Sequence, residues 1–315
     1  MKRRALLACV AAPALAAGPP LRLVVAYPPG GISDEVARAL AGPMSERLGR
    51  PVRVEHRPGA GGAIAMEMLS RAPADGSTLV FSAISPLTLL PLLGPTPYDP
   101  QRDIAPVAAV MATPVLVLGT PALTALGVHH LAGLLALARA QPGRVRWATS
   151  GAATTGHLVL AQLARSAGVD IVHVPYKGGG QQLNDALGGQ FEVLSSNVSP
   201  ATLQYVHAGR LVPLAVGAGQ RAPALPEVPT LAEAGHPGAN RQSVFGLFAP
   251  GGTPAAIVST LNAATAQALA DQALRARLLA AHNLPLAGSA EDFAARIASE
   301  AASLQQLLAE RPMKR

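Results

Sequence analysis

The chain has 315 residues, half of them hydrophobic and 14% charged, with a formal charge of +7. That length and apolar content allow a large core and two domains. With five Phe, four Tyr and one Trp the core is aliphatic, base-stacking platforms for nucleic acid are scarce, and no basic cluster of nucleic-acid type occurs.

Residues 1–17 read as a secretory signal. Met1-Lys2-Arg3-Arg4 is the basic start, Ala5 to Ala12 the apolar segment, and Ala14-Leu15-Ala16 the small-residue cleavage pattern. The apolar run is too short to span a bilayer. Leu6-Leu7-Ala8-Cys9 has only a faint likeness to a lipoprotein box. Cys9 is the one cysteine, so a processed chain has no disulfide and no thiol chemistry. The expected location is the periplasm.

Leu21 to Val25 reads as a strand, Pro28-Pro29-Gly30-Gly31 as a turn, and Ile32 onward as a helix with Ser33 as N-cap and Asp34 and Glu35 in its first turn. A glycine-rich turn at a helix N-terminus favours anions. Val52-Arg53-Val54 is a second strand, followed by the turn Pro58-Gly59-Ala60-Gly61-Gly62 and a helix through Leu69. Thr78 to Ser82 is a third strand. This alternation predicts a parallel sheet with ligand-binding turns at the carboxyl ends of its strands.

Val115 to Leu118 is a strand, Leu131 to Ala140 a helix, and Arg146 to Thr149 a strand ending at Ser150-Gly151. A helix follows from about Thr155. Asp170 to Pro175 is a strand leading to Tyr176-Lys177-Gly178, then a helix from Gln181 to Leu187 and a strand from Phe191 to Asn197. Leu214 to Val216 adds a strand, and Phe245 to Pro250 returns the chain to the first domain. Helices over about Pro254 to Ala270 and Ala290 to Ala309 finish it.

Several enzyme signatures fail. Gly31-Ile32-Ser33-Asp34-Glu35 lacks the final Gly of a nucleophile elbow, and Ile64 stands where a dinucleotide loop needs Gly. His129-His130 has no acidic or Cys partner at metal-ligand spacing and reads as a surface pair. Ser150 and His157 could act as nucleophile and base, but Thr154, Thr155 and His157 read more simply as a helix start. What remains are polar turns facing one crevice: Ser33, Ser82, Ser150, Thr154, Thr155, His157, Lys177 and Asn197. They suit a carboxylate held by many hydrogen bonds better than acid–base catalysis.

The ordered segments Tyr27-Pro28-Pro29-Gly30-Gly31 with Asp34, Arg57-Pro58-Gly59-Ala60-Gly61-Gly62, Ser150-Gly151 with His157-Leu158, Val174-Pro175-Tyr176-Lys177-Gly178, Pro226-Glu227-Val228-Pro229-Thr230 and Phe248-Ala249-Pro250-Gly251-Gly252-Thr253-Pro254 resemble one family. It is that of the Bug-type substrate-binding proteins of tripartite tricarboxylate transporters. The resemblance implies a two-domain α/β periplasmic binding protein of type II-like form. Each domain would be a mainly parallel sheet flanked by helices, with the ligand in the interdomain cleft. It implies domain 1 over 18–112 and 226–315, and domain 2 over 113–225. It implies a small carboxylate ligand, no cofactor and no metal, a monomer, and membrane transporter subunits or a sensor kinase as partner. The implied contacts are Pro28, Gly30, Gly31, Ser33, Asp34, Gly61, Gly62, Ser82 and Ala83, then Ser150, Gly151, Thr154, Thr155, His157, Tyr176, Lys177 and Asn197. Ser195-Ser196-Asn197 departs from the family's frequent Asp there and favours a plain carboxylate over an amino acid. An exported serine hydrolase using Ser150 or Ser33 is the alternative.

Overall fold

The computed structural model describes residues 19–280, 282–310 and 313. The expected signal segment and Cys9 lie outside the described residues.

The first half is β1 (Leu21–Val25), α1 (Ile32–Leu48), β2 (Val52–His56), α2 (Ala63–Ser70), β3 (Thr78–Ala83) and α3 (Ser85–Thr88). β4 (Ile104–Gly119) then leads to α4 (Pro121–Thr124), α5 (Leu131–Ala140), β5 (Arg146–Thr149), α6 (Thr155–Ala167) and β6 (Val172–Pro175). α7 (Gly179–Leu187), β7 (Val193–Asn197), α8 (Pro200–His207) and β8 (Val212–Gly217) complete the second half. The chain returns through β9 (Gln242–Pro250), α9 (Ala255–Ala270), α10 (Gln272–Ala280), β10 (Leu284–Pro285) and α11 (Ala290–Glu310).

The strands run in the order β2-β1-β3-β9-β4-β7-β5-β6. β1 pairs parallel with β2 and β3, and β5 pairs parallel with β6 and β7. Each half is thus a parallel trio, completed by antiparallel strands. Together they form one mixed sheet. β3 is buried along its whole length, which fits its continuous run of apolar and small residues between two helical layers.

β4 serves both halves. Residues 104–114 pair with β9, and residues 115–119 pair with β7 on one side and β8 on the other. Pro114 sits at the changeover. It has no N–H to donate, and its carbonyl accepts the Val198 N–H at 3.2 Å. Pro106 and Pro114 hid the length of this strand from the sequence reading, because proline usually ends strand pairing. Here the pairing with β9 shifts register after Pro106, which absorbs the first proline.

Apolar clusters cover both faces of each half, for example Val25, Leu40 and Phe81 in the first and Trp147, Leu160 and Val193 in the second. The segment from residue 226 was expected in the first domain. Val228, Leu231 and Ala239 instead pack in the second half's clusters, so the chain rejoins the first half only at β9. Across the divide, Leu158 of α6 packs against Leu89 and Leu304, and Ala153 joins the first half's cluster.

Local capping differs from the expectation at α1. The N-cap is Gly31, not Ser33, and no side chain caps it. Ser33 lies inside the first turn and is buried. His130 is no idle surface residue either, since its Nδ1 accepts the Gly133 N–H at 2.9 Å and caps α5.

Candidate ligand-binding cleft

The carboxyl ends of β1, β3, β5, β6 and β7 converge on one cleft between the halves, as open α/β sheets place their ligand sites. Its cavity volume is about 80 Å³. Of the anticipated residues, Pro28, Gly30, Gly31, Ser33 and Ala83 line it from the first half. Ser150, Thr154, Thr155 and Asn197 line it from the second. Tyr27, Ser85, Ser243, Phe245, Gly179, Gly180, Ser199 and Thr202 also face it. No Asp, Glu, Lys, Arg or His side chain is among the lining residues.

Positive character comes from the backbone. The N-termini of α1, α6, α7 and α8 all open into the cleft, represented by Ile32 and Ser33, Thr155 and Gly156, Gly179 and Gly180, and Ala201. First-turn N–H groups have no intrahelical acceptor and carry the positive end of the helix dipole.

The hydroxyls divide into two sets. One set holds the frame. Thr154 Oγ1 donates to the Gly151 carbonyl at 2.8 Å and accepts the His157 N–H at 3.3 Å. Ser195 donates to the Gly156 carbonyl at 3.0 Å, and Ser199 accepts the Thr202 N–H at 3.1 Å. The other set bonds nothing among the described residues. The Ser85 hydroxyl is buried without a partner, and those of Ser33, Ser150 and Thr155 have none among the described residues.

The remaining anticipated residues sit outside the cleft lining. Asp34 ties the turn together: Oδ2 accepts the Gly30 N–H at 3.0 Å, and Oδ1 lies 2.8 Å from both His56 Nε2 and Arg38 Nε. Burial pushes its carboxyl up, but the Gly30 N–H, His56 and Arg38 outweigh that and hold it below the usual range. Gly61 and Gly62 adopt φ of +65° and +107°, and Gly61 meets the second half at Gly151 and Ala152. Ser82 is buried behind Tyr27, whose hydroxyl accepts the Ala83 N–H at 3.4 Å. Lys177 is exposed, and Tyr176 donates its hydroxyl to Asp185 at 2.8 Å.

His157 is also buried behind the wall. Its Nδ1 accepts the Ala153 N–H at 3.2 Å, and its ring stacks on His173 with centroids 3.8 Å apart. Burial, with His173 second, pulls its pKa down to about 4, so it is neutral at ordinary pH. Neither Ser33 nor Ser150 is hydrogen-bonded to a histidine among the described residues.

Serines 85 and 199 were missed, although Ser85-Pro86 and Ser199-Pro200 carry a helix-start signal, a capping residue before proline. Ser243 and Phe245 carried no such signal, because only the pairing of β9 turns them to the cleft.

Residues 36–313 match the sequence profile of the tripartite tricarboxylate transporter family receptor. The chain belongs to this family. Solved relatives share the receptor's fold across nearly its whole length. The periplasmic binding protein BugD is 27% identical, with a TM-score of 0.86 over 94% of this chain and 98% of its own. Rpa4515 of R. palustris, solved with adipate, is 33% identical, with a TM-score of 0.84 over 91% and 95%. MatC from Rhodopseudomonas palustris, solved with bound malate, is 29% identical, with a TM-score of 0.85 over 91% and 98%. The receptor is therefore an α/β member of a family of periplasmic solute-binding proteins.

Proposed function

We infer that this receptor captures a small carboxylate in the cleft between two closing lobes and presents the closed form to membrane transporter subunits. The observation that carries this reading is a polar cleft without ionised side chains, ringed by helix N-termini from both halves and by unpaired hydroxyls. Such a wall offers donors to an anion and no counter-charge to a cation. Relatives solved with adipate and malate support the same ligand class. Contacts from Gly31, Ser33 and Ser85 on one lobe and Ser150, Thr155 and Gly156 on the other would be complete only on closure. Ligand then favours the closed state by the contacts made there alone. Export through residues 1–17, action as a monomer, and delivery to a transporter rather than a sensor kinase belong to this reading.

The geometry favours a receptor over a serine hydrolase. A serine nucleophile needs a base within hydrogen-bond reach. His157 is instead committed to the Ala153 N–H and to its stack on His173.

Thermal unfolding of the processed chain with a panel of mono-, di- and tricarboxylates tests the reading. At about a hundredfold excess over Kd, the correct acid should raise Tm by roughly 5 °C. No response to any acid, with ester hydrolysis abolished in a Ser150→Ala variant, would overturn it in favour of the enzyme.

A further inference from the structure

We propose that Arg57 and Lys177, one on each lobe beside the mouth of the cleft, recruit the anionic ligand by long-range attraction, while the uncharged wall holds it. This rests on the carboxylate-binding reading above and deepens it by dividing capture into two steps.

The wall has no ionised side chain, so a field that acts beyond hydrogen-bond range has to come from outside it. Arg57 follows β2, and its N–H donates at 2.9 Å to the carbonyl of Val25, the last residue of β1 and two before Tyr27 of the cleft lining. Its guanidinium acts on Glu55, but that carboxylate is already bonded to Arg22 at 2.9 Å. Lys177 follows β6 from the other lobe. It precedes Gly178, which abuts the Pro28 ring, and Gly179 and Gly180, which line the cleft. Lys177 has no ion-pair partner among the described residues, and both cations are exposed.

The acids on these turns are offset or turned away. Asp34 lies against Arg38 and His56, and Glu35 feels Arg277 in the groove between α1 and α10. Asp185 accepts the hydroxyl of Tyr176, whose ring packs on Phe191 before the start of β7, at the opposite end of the sheet. Arg57 and Lys177 are left as positive charge at the rim. Attraction of this kind shows in the association rate and its salt dependence, whereas a direct contact shows in dissociation. One such charge should change the association rate of a dianion about two- to fourfold at low salt.

Stopped-flow mixing of the full processed chain with succinate, malate, adipate and citrate measures both rates. A fluorophore on an introduced cysteine at an exposed site of α2, Ile64→Cys, supplies the signal. For each acid that binds, Arg57→Gln combined with Lys177→Gln should lower the association rate constant at least about fivefold in about 20 mM sodium chloride. The dissociation rate constant should stay within about twofold, and the difference in association should vanish at about 500 mM salt. Arg210→Gln removes one charge at the far end of α8 and should slow association less than about 1.5-fold, against about two- to fourfold for Lys177→Gln. Thermal unfolding checks the fold of each variant. Equal association rates in the wild type and the double variant, or a loss carried by faster dissociation, would overturn this inference and leave the carboxylate reading standing. An Arg210 effect as large as that of Lys177 would do the same. Binding of none of the four acids would overturn the carboxylate reading and this inference with it.

Discussion

Pro28 rests against Gly178 across the mouth of the cleft, so closely that a side-chain carbon on residue 178 would run into the proline ring. The two residues come from opposite halves. A second contact sits beside it, where a side-chain carbon on Gly61 would stand 2.5 Å from the Ala152 carbonyl oxygen. At these two points the halves meet at glycine backbone, against a proline ring in one case and a carbonyl oxygen in the other.

Bulk at this contact should act on closure rather than on folding. Gly178→Val is expected to weaken ligand binding by at least about tenfold, because the closed state must give way to fit the side chain. The unliganded chain can open and avoid the clash, so its Tm should move by less than about 2 °C. Titration and thermal unfolding of one variant read both effects. A large drop in Tm with unchanged affinity would make the contact a feature of the fold alone.

The two sets of hydroxyls should separate in the same way. Ser85→Ala and Ser150→Ala each remove a donor that bonds nothing among the described residues, and each should cost about three- to tenfold in affinity with little change in Tm. Thr154→Ala removes the side-chain cap of α6 and should cost about 1 kcal/mol of stability. Loss of stability in the serine variants, matching that of the Thr154 variant, would count against free donors in the cleft.

Stability should depend on pH through His157. Its pKa falls from 6.5 to about 4 in the folded chain, first through burial and then through His173. Between those values the unfolded chain holds more protons than the folded one. The stabilisation is therefore full above pH 6.5 and lost as the pH falls toward 4. The depression corresponds to about 3 kcal/mol. Asp34 is held below 3.8, so its own contribution persists through this window and fades only at more acid pH. Urea unfolding at a series of pH values should show the decline, and His157→Asn should flatten it while still accepting the Ala153 N–H. An equal slope in wild type and variant would contradict the assignment.

Much of the site is written in the turns. Pro28 to Ser33 and Ser150 to Thr155 are legible because glycine, proline and small polar residues at a strand-to-helix turn mark both the break and the anion-friendly backbone. What such a motif does not specify is the direction in which its side chains point. Asp34 belongs to the right turn yet faces back to Gly30 and His56, and Lys177 follows the right strand yet faces solvent. Gly61 and Gly62 form the expected turn, but β2 is the edge strand of its half, and its turn meets the other half beside the cleft. The long crossing strand was half hidden, because Pro106 and Pro114 interrupt a pattern that only the pairing with β9, β7 and β8 makes continuous. Ser243 could not be found from sequence at all, since its hydroxyl bonds Asn197, 46 positions away.

A crystal structure grown with the acid that raises Tm most in the carboxylate panel tests the central claim most directly. It should show that acid between the halves, its carboxylate oxygens within about 3.2 Å of first-turn N–H groups of α1 and α6 and of the Ser85, Ser150 or Thr155 hydroxyls. No Lys or Arg side chain should touch it. An acid bound outside this cleft, or held there by an arginine or lysine drawn in from the surface, would contradict the account.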